Sequence, residues 1–391
     1  MAKKTAVKTT GCFILLLSLV LGASTLSSKV QDVKSENNTK PSPLVITKDM
    51  TVAQFGQANR VSPTLLQEIF SLTSPGDLQK QIREFGTLQQ ISSRTSGKMA
   101  LAAEHASKNW LKIPLKFALW LAFLSSVFIY FRNRKVSSTQ RNWLLGSAIT
   151  VFGIILGSDP SPMGTVKDAI RLYGTAHVIF PPRMIALSIF LAIVLLANKY
   201  ICAWGCQAGT LQELIFRINT SENQKTGLLR QFKLPFAVTN TIRVLFFALF
   251  VLVVFAWGTD IIAPVDPFKI FKPTSLGMTG GMCIGLLLVL SLFVYRPWCH
   301  LFCPFGLVGW LLEKYSRVKI NVQYETCIAC EKCAAACPST VMGAILRRDK
   351  KSIPDCFACY TCRDICPTGS IRFSAHKRAL PPENHFRKNA Q

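Results

Sequence analysis

The sequence predicts a multi-pass α-helical membrane protein. It adds a small N-terminal helical extracytoplasmic domain and a cysteine-rich C-terminal α+β domain. Three observations predict this. Half of the 391 residues are hydrophobic and only 17% are charged, against roughly 25% in an ordinary soluble domain. Long apolar runs recur, with basic residues at alternate ends. Eight of the 14 Cys fall between Cys327 and Cys366. So much apolar surface excludes disorder for most of the chain. So few and so clustered Cys exclude a small disulfide scaffold. The net charge of +25 suits nucleic-acid binding, but not on so apolar a chain. It reads as positive-inside anchoring instead, with no nucleic-acid partner.

Residues 1–27 open with Lys3, Lys4 and Lys8, then a short apolar run from Gly11 to Ala23, closed by Ser24. That is the pattern of a secretory signal peptide; an uncleaved signal-anchor helix is the competing reading. Either way residues 28–110 emerge outside the cytoplasm. Ser28–Ser42 looks like a flexible linker. Helix starts follow at Thr51 with Gln54, at Ser62 before Pro63, and at Ser74 before Pro75. Leu65, Leu66, Ile69 and Phe70 share one helical face. About three helices and a connecting helix near Met99–Asn109 make a docking or spacer module.

Residues 111–316 hold five expected membrane helices, about 113–131, 142–157, 184–200, 242–257 and 277–294. Trp110, Tyr130, Trp143, Trp257 and Trp298 suit interface belts. Arg132, Arg134, Lys135 and Arg141 mark the first short loop as cytoplasmic, and Arg217, Lys225, Arg230 and Lys233 mark the 201–241 loop. The loops 158–183 and 258–276, the latter with only Lys269 and Lys272, fall outside. The C-terminal hundred residues then lie inside, as expected for a bacterial cytoplasmic (inner) membrane. No tandem repeat is read among the membrane helices. Cys12 and Cys283 read as buried small hydrophobes, Arg243 as an ordinary anchor, and Asp159 and Asp266 as loop-shaping residues. His177, in an outer loop, is a poor haem ligand because it stands alone; a hydrogen bond to a quinone is its minor functional reading beside an ordinary loop residue.

Residues 317–375 carry the strongest signal. Cys327-x2-Cys330-x2-Cys333-x3-Cys337-Pro338 is repeated as Cys356-x2-Cys359-x2-Cys362-x3-Cys366-Pro367. This is the spacing of a two-cluster (2×[4Fe–4S]) ferredoxin-like domain. Three thiolates on a tight loop reach three irons of one cubane, and the fourth Cys crosses to the other. One cluster then takes Cys327, Cys330, Cys333 and Cys366; the second takes Cys356, Cys359, Cys362 and Cys337. A pair of zinc sites is the alternative for Cys-x2-Cys spacing. Arg347, Arg348, Lys350 and Lys351 fill the connection, as a solvated turn or a dock for an acidic electron donor. Residues 376–391 form a basic tail.

A second signal is Cys202-Ala-Trp-Gly-Cys206 and Cys299-His-Leu-Phe-Cys303-Pro304, each expected at the cytoplasmic edge of a membrane helix. Thiols at i and i+4 share a helix face. Two such pairs at equal depth offer four ligands for a third cluster or another metal, or two redox-active thiol pairs. His300, between two of them, is placed to tune or ligate such a centre.

On these motifs, residues 110–375 resemble the NapH/NosR-type membrane polyferredoxins, polytopic 4Fe–4S proteins with two Cys-x3-Cys-Pro motifs at helix ends. The resemblance implies electron transfer between the quinone pool or a cytoplasmic donor and a periplasmic reductase, cytochrome or other membrane redox partner. It implies a relay, or a quinone-linked oxidoreductase subunit, rather than an enzyme with an organic substrate of its own. Two alternatives are a CcoG-like accessory factor that assembles or reduces a metal centre and a membrane redox sensor. Gln207 stands where the motif has Pro. Residues 28–110 lack the Ser/Thr-Gly-Ala-Thr flavin attachment motif of NosR-type proteins, so a bound flavin is not implied.

Overall fold

The computed structural model describes residues 2–31, 44–219, 230–347 and 355–386, apart from Lys48, Thr73, Arg134, Lys377 and Asn384. Most of the expected linker, Arg134, Lys225, the basic turn at Arg348, Lys350 and Lys351, and the tail beyond Phe386 lie outside the described residues.

Helix α1 (Ala2–Gln31) runs past the expected boundary at residue 28. Phe13 and Val20 on its inner stripe are buried with Ile149, Leu211, Ile215 and Phe271 of the bundle. Ser27 Oγ donates to the Ile154 carbonyl at 2.7 Å. Cys12 lies off that stripe and is exposed, not buried as expected; so is Cys283, beside the inward-facing Ile284.

The N-terminal domain holds α2 (Val52–Ala58), α3 (Pro63–Phe70) and α4 (Leu88–Ala106), with 3-10 turns at Pro75–Gln79 and Ile82–Phe85. Thr51 and Gln54 form a capping box that satisfies two otherwise orphaned N–H groups. The core packs Val52, Phe55, Leu66, Ile69, Phe70, Ile82 and Ile91. α4 absorbs the start of the expected connecting helix, and its last turn is tied to the bundle. Glu104 pairs with Arg183, and Lys108 with Asp159 at 3.0 Å.

The bundle follows as α5 (Lys112–Asn133), α6 (Ser138–Ala148), a π-helix (Ile149–Ile155), α7 (Pro162–Ala176) and α8 (Pro181–Ala197). Then come the short α9 (Tyr200–Trp204) and α10 (Gln207–Ile218), and α11 (Phe236–Trp257). Last are α12 (Met278–Leu290), the short α13 (Pro297–Leu301) and α14 (Pro304–Glu313). Among the described residues three helices are long and apolar enough to cross a membrane: Thr9–Ser28, Lys112–Arg132 and Phe236–Trp257. α8 and α12 are apolar but shorter, because α8 stops at Asn198, with a positive φ of 62°, and α12 stops at Ser291. The expected 142–157 helix changes to π-helix where Gly153 meets the Phe271 ring; a Cβ there would stand 2.6 Å from it. α7 falls in what reads as an outer loop, started by a Ser161 cap before Pro162.

The C-terminal domain pairs β1 (Lys319–Val322) antiparallel with β2 (Ile371–Ser374). Between them lie α15 (Lys332–Ala336), α16 (Val341–Leu346) and α17 (Thr361–Ile365). Ile320, Val322, Met342, Ile345 and Ile371 fill its core. It sits on the end of the bundle away from the N-terminal domain: Lys135 Nζ donates to the Cys366 carbonyl at 3.1 Å, and Arg141 pairs with Asp364.

Candidate functional site

The two C-terminal cysteine loops share one backbone solution. Ala329 and Glu331 have φ of 54° and 52°; Ala358 and Tyr360, at the same places after Cys356, have 53° and 61°. Left-handed non-glycine residues each cost of order 1 kcal/mol or more, so they persist where surroundings demand them. Such loops turn backbone N–H groups inward toward sulfur. Ala358 N donates to Cys356 Sγ at 3.4 Å. Burial alone would raise the Cys366 thiol. Hydrogen bonds from the Thr368 hydroxyl and from the Thr368, Ser370 and Ile371 backbones bring it below the usual range instead. Burial pushes Cys333 up to about 11, and Cys366, Cys327 and Cys330 are its cysteine neighbours. Burial also raises Cys362, whose neighbours include Cys359, Cys337 and Cys356. The fourth cysteine of each motif thus lies beside the other motif's three. Cys330 is exposed, whereas Cys362 and Cys366 are buried.

Cys202, Cys206, Cys299 and Cys303 are all buried and all within electrostatic reach of one another. Their setting differs from the expected one in two ways. Neither pair lies on one helix face. Cys202 sits in α9 and Cys206 caps α10; Cys299 sits in α13 and Cys303 caps α14. The chain breaks at Gly205 and at Phe302 and turns back, so the second thiol of each pair meets a new helix N-terminus. Gly306 N donates to Cys303 Sγ at 3.4 Å, whereas Cys206 takes the same N-cap place without a side-chain cap hydrogen bond. The motifs also dip into the bundle instead of resting at its edge. Trp120 Nε1 of α5 donates to the Gly205 carbonyl at 3.0 Å. Gln207 Nε2 donates to the Phe152 carbonyl at 2.8 Å, and Trp298 Nε1 to Met163 Sδ at 3.2 Å. Pro304 and Gln207 are both first residues of their helices, a position where Pro is tolerated because its N–H is not needed. Gln207 in place of Pro therefore leaves the turn intact.

Cations surround these thiols. Arg296 donates to the Cys202 carbonyl, and at 3.0 Å to that of Ala203; it also pairs with Glu213. Arg243, expected to be a plain anchor, is 1% exposed. It donates to the Gly306 carbonyl at 3.3 Å and to Asp355 Oδ2 at 3.2 Å. Lys199 is buried and pairs with the same Asp355. Four thiolates with their irons carry net negative charge, so helix N-termini, inward N–H groups and buried cations fit such a group. Among the described residues, no three or more His, Cys, Asp or Glu side chains are grouped to hold a metal ion. A cubane bonds each thiolate to a different iron, and its sulfurs stand wider apart than those around one ion. His300 Nδ1 lies 3.2 Å from the Arg296 carbonyl, and its ring centroid is 4.8 Å from that of Phe357. His177 closes α7 with a left-handed φ of 53°.

The two thiol regions are joined by the loop Asp355–Tyr360. Asp355 bridges Lys199 and Arg243. The Phe357 ring lies 3.9 Å from Lys199 Nζ, and Ala358 accepts from Trp204 Nε1 at 3.3 Å. Cys356 N donates to Glu313 of α14. Asp355 and Glu313 escaped sequence reasoning because nothing local to either marks it; both matter through partners far away in the chain.

The family described as a 4Fe-4S dicluster domain matches residues 319–367. A family described as a 4Fe-4S binding domain matches twice, over 179–236 and 276–323. That double match corrects the expectation of no repeat among the membrane helices. Lys199, Cys202, Cys206 and Gly209 stand at the spacing of Arg296, Cys299, Cys303 and Gly306, while the residues between them differ too much to be read as a repeat. The YccM protein of Escherichia coli is 30% identical over 206 residues, 50% of this chain and 57% of that one. The regulatory protein NosR of Pseudomonas aeruginosa is 25% identical over 49% of this chain and 28% of its own length. The methylamine utilization ferredoxin-type protein MauN of Methylobacillus flagellatus is 22% identical over 41% and 58%. The chain thus spans between a quarter and three-fifths of these relatives. No solved structure matches. The chain therefore carries 4Fe–4S ferredoxin-type domains and is a homologue of YccM, NosR and MauN, consistent with a NapH/NosR-type polyferredoxin.

Proposed function

We propose that the chain is a membrane-bound iron–sulfur electron-transfer protein of a bacterial cytoplasmic membrane. It relays electrons between a cytoplasmic donor or the quinone pool and a membrane or periplasmic redox partner. Cys327, Cys330, Cys333 and Cys366 hold one [4Fe–4S] cluster and Cys356, Cys359, Cys362 and Cys337 a second. Cys202, Cys206, Cys299 and Cys303 hold a third. One observation carries the reading. The Asp355–Tyr360 loop, which bears Cys356 and Cys359, is seated by Asp355, Phe357 and Ala358 on the buried four-cysteine region. On this reading the relay runs from the exposed Cys330 through the second group to the buried cysteines.

Bound clusters supply one-electron transfer, at potentials set by burial and by hydrogen bonds to sulfur. The chain's own groups do the rest. Gly306 donates its N–H to the Cys303 sulfur. Lys199, Arg243 and Arg296 offset negative charge where water is excluded, which makes each cation count for more. Anaerobic purification, iron analysis and low-temperature EPR after dithionite reduction test the reading. About 12 iron atoms per chain are expected, with signals of reduced [4Fe–4S] centres. A Cys202→Ser/Cys299→Ser variant should fall to about 8 iron atoms and keep the other signals. Absence of any 4Fe–4S signal overturns the proposal; an unchanged iron count in the variant removes the third site alone.

A further inference from the structure

We propose that the groove over Cys330 is the docking surface for a small, soluble, acidic one-electron carrier protein. The proposal rests on the relay reading above and names the kind of partner that meets its exposed end. The groove, of about 960 Å³, opens between the start of α11 and the first cysteine loop. Three observations converge there. Lys233, Lys332 and Arg347 line it against a single acid, Glu331, and all three cations are exposed. Its wall also includes Cys330, the one exposed cysteine of the eight C-terminal ones. Phe236, Ala334 and Ala344 give it an apolar floor, and Ile328, next to Ala329 in the same cysteine loop, is 63% exposed.

A cationic rim around a small apolar patch is the surface an acidic partner recognises, because complementary charge steers encounter and fixes orientation. An anionic lipid surface would use the cations but has no use for an exposed cysteine within the groove. A second copy of this chain, with its net charge of +25, lacks the acidic complement that these cations call for. The groove is also firmly built. Lys233 Nζ donates to the Ala334 and Ala335 carbonyls at 2.9 and 2.8 Å, tying the loop before α11 to α15.

The test uses the full-length, cluster-loaded protein in detergent and an acidic flavodoxin as the probe. Calorimetric titration should give saturable binding that weakens as salt rises. The Lys332→Glu/Arg347→Glu variant should bind at least about tenfold more weakly. Carbodiimide cross-linking of the unmodified protein to the flavodoxin needs no variant and should join Lys332 or Lys233 to the carrier. Binding unchanged by the double reversal, or cross-links confined to other lysines, overturns the proposal. So does a variant that loses affinity for phosphatidylglycerol vesicles but not for flavodoxin, which would assign the groove to lipid. EPR signals retained in the variant show that such a failure belongs to the docking surface and not to the relay.

Discussion

Gly209 and Gly306 show how tightly the buried cysteine site is built. A Cβ on Gly209 would stand 2.7 Å from the Cys202 carbonyl, and one on Gly306 would stand 2.7 Å from that of Cys299. Both are backbone oxygens of ligand-bearing turns, so neither can move aside cheaply. Gly209→Ala and Gly306→Ala should each destabilise the protein by about 1–3 kcal/mol and lower iron content. Gly285→Ala, which meets nothing within 4 Å, should change neither; thermal unfolding in detergent with iron analysis checks all three. Asp355 is the third residue on which the site depends. It is 2% exposed and holds two buried cations. Asp355→Asn leaves both cations without their carboxylate, at a cost of about 3–5 kcal/mol. The same measurement should register that as failure to accumulate or a large fall in melting temperature. The cysteines themselves are legible in the sequence because their spacing is local. The groups that hold them are not. Arg243 reads as a membrane anchor until Asp355, far along the chain, closes on it.

The elements repeat this division. Capping signals at Thr51 and Ser62 place α2 and α3 where the sequence puts them, since a cap is a contact between near neighbours. The apolar runs locate α5 and α11 for the same reason. What fails is the continuity of helices near the site. An i, i+4 pair suggests one helix face, yet each pair straddles a break whose second cysteine caps the next helix. That choice depends on Arg296 reaching back to the Cys202 and Ala203 carbonyls, a contact between the two repeats. The first helix is a further case. A cleavable leader needs no partner, whereas α1 buries Phe13 and Val20 in the bundle and bonds Ser27 to the π-helix. Retention of α1 follows as an expectation, checked by the intact mass of protein purified from membranes. A mass lacking residues up to about the Ala23–Ser24 junction would show that the helix is a leader after all.

At the scale of the whole molecule, the charge of +25 serves two purposes. Part of it is internal. Lys199, Arg243 and Arg296 are buried around the cysteine site, and Arg141 pairs with Asp364 of the C-terminal domain. The rest is distributed between two ends. At one end the N-terminal domain is clamped to the 158–183 segment by Glu104–Arg183 and Lys108–Asp159. At the other end Lys135 and Arg363 tie the cysteine-rich domain to the bundle. Basic residues crowd this second end, and the bias of Lys and Arg toward the cytoplasm sets orientation. We expect thiols that must stay reduced to carry clusters to lie on the same side. We expect an amine reagent that cannot cross membranes to mark Lys80 and Lys98 only in right-side-out vesicles, and Lys233 and Lys332 only in inverted ones. All four lysines are exposed, so accessibility at either end reports sidedness and not burial. Labelling of both sets from one side would mean that the two ends do not face opposite compartments. An extracytoplasmic N-terminal domain and a cytoplasmic electron donor would then fall together.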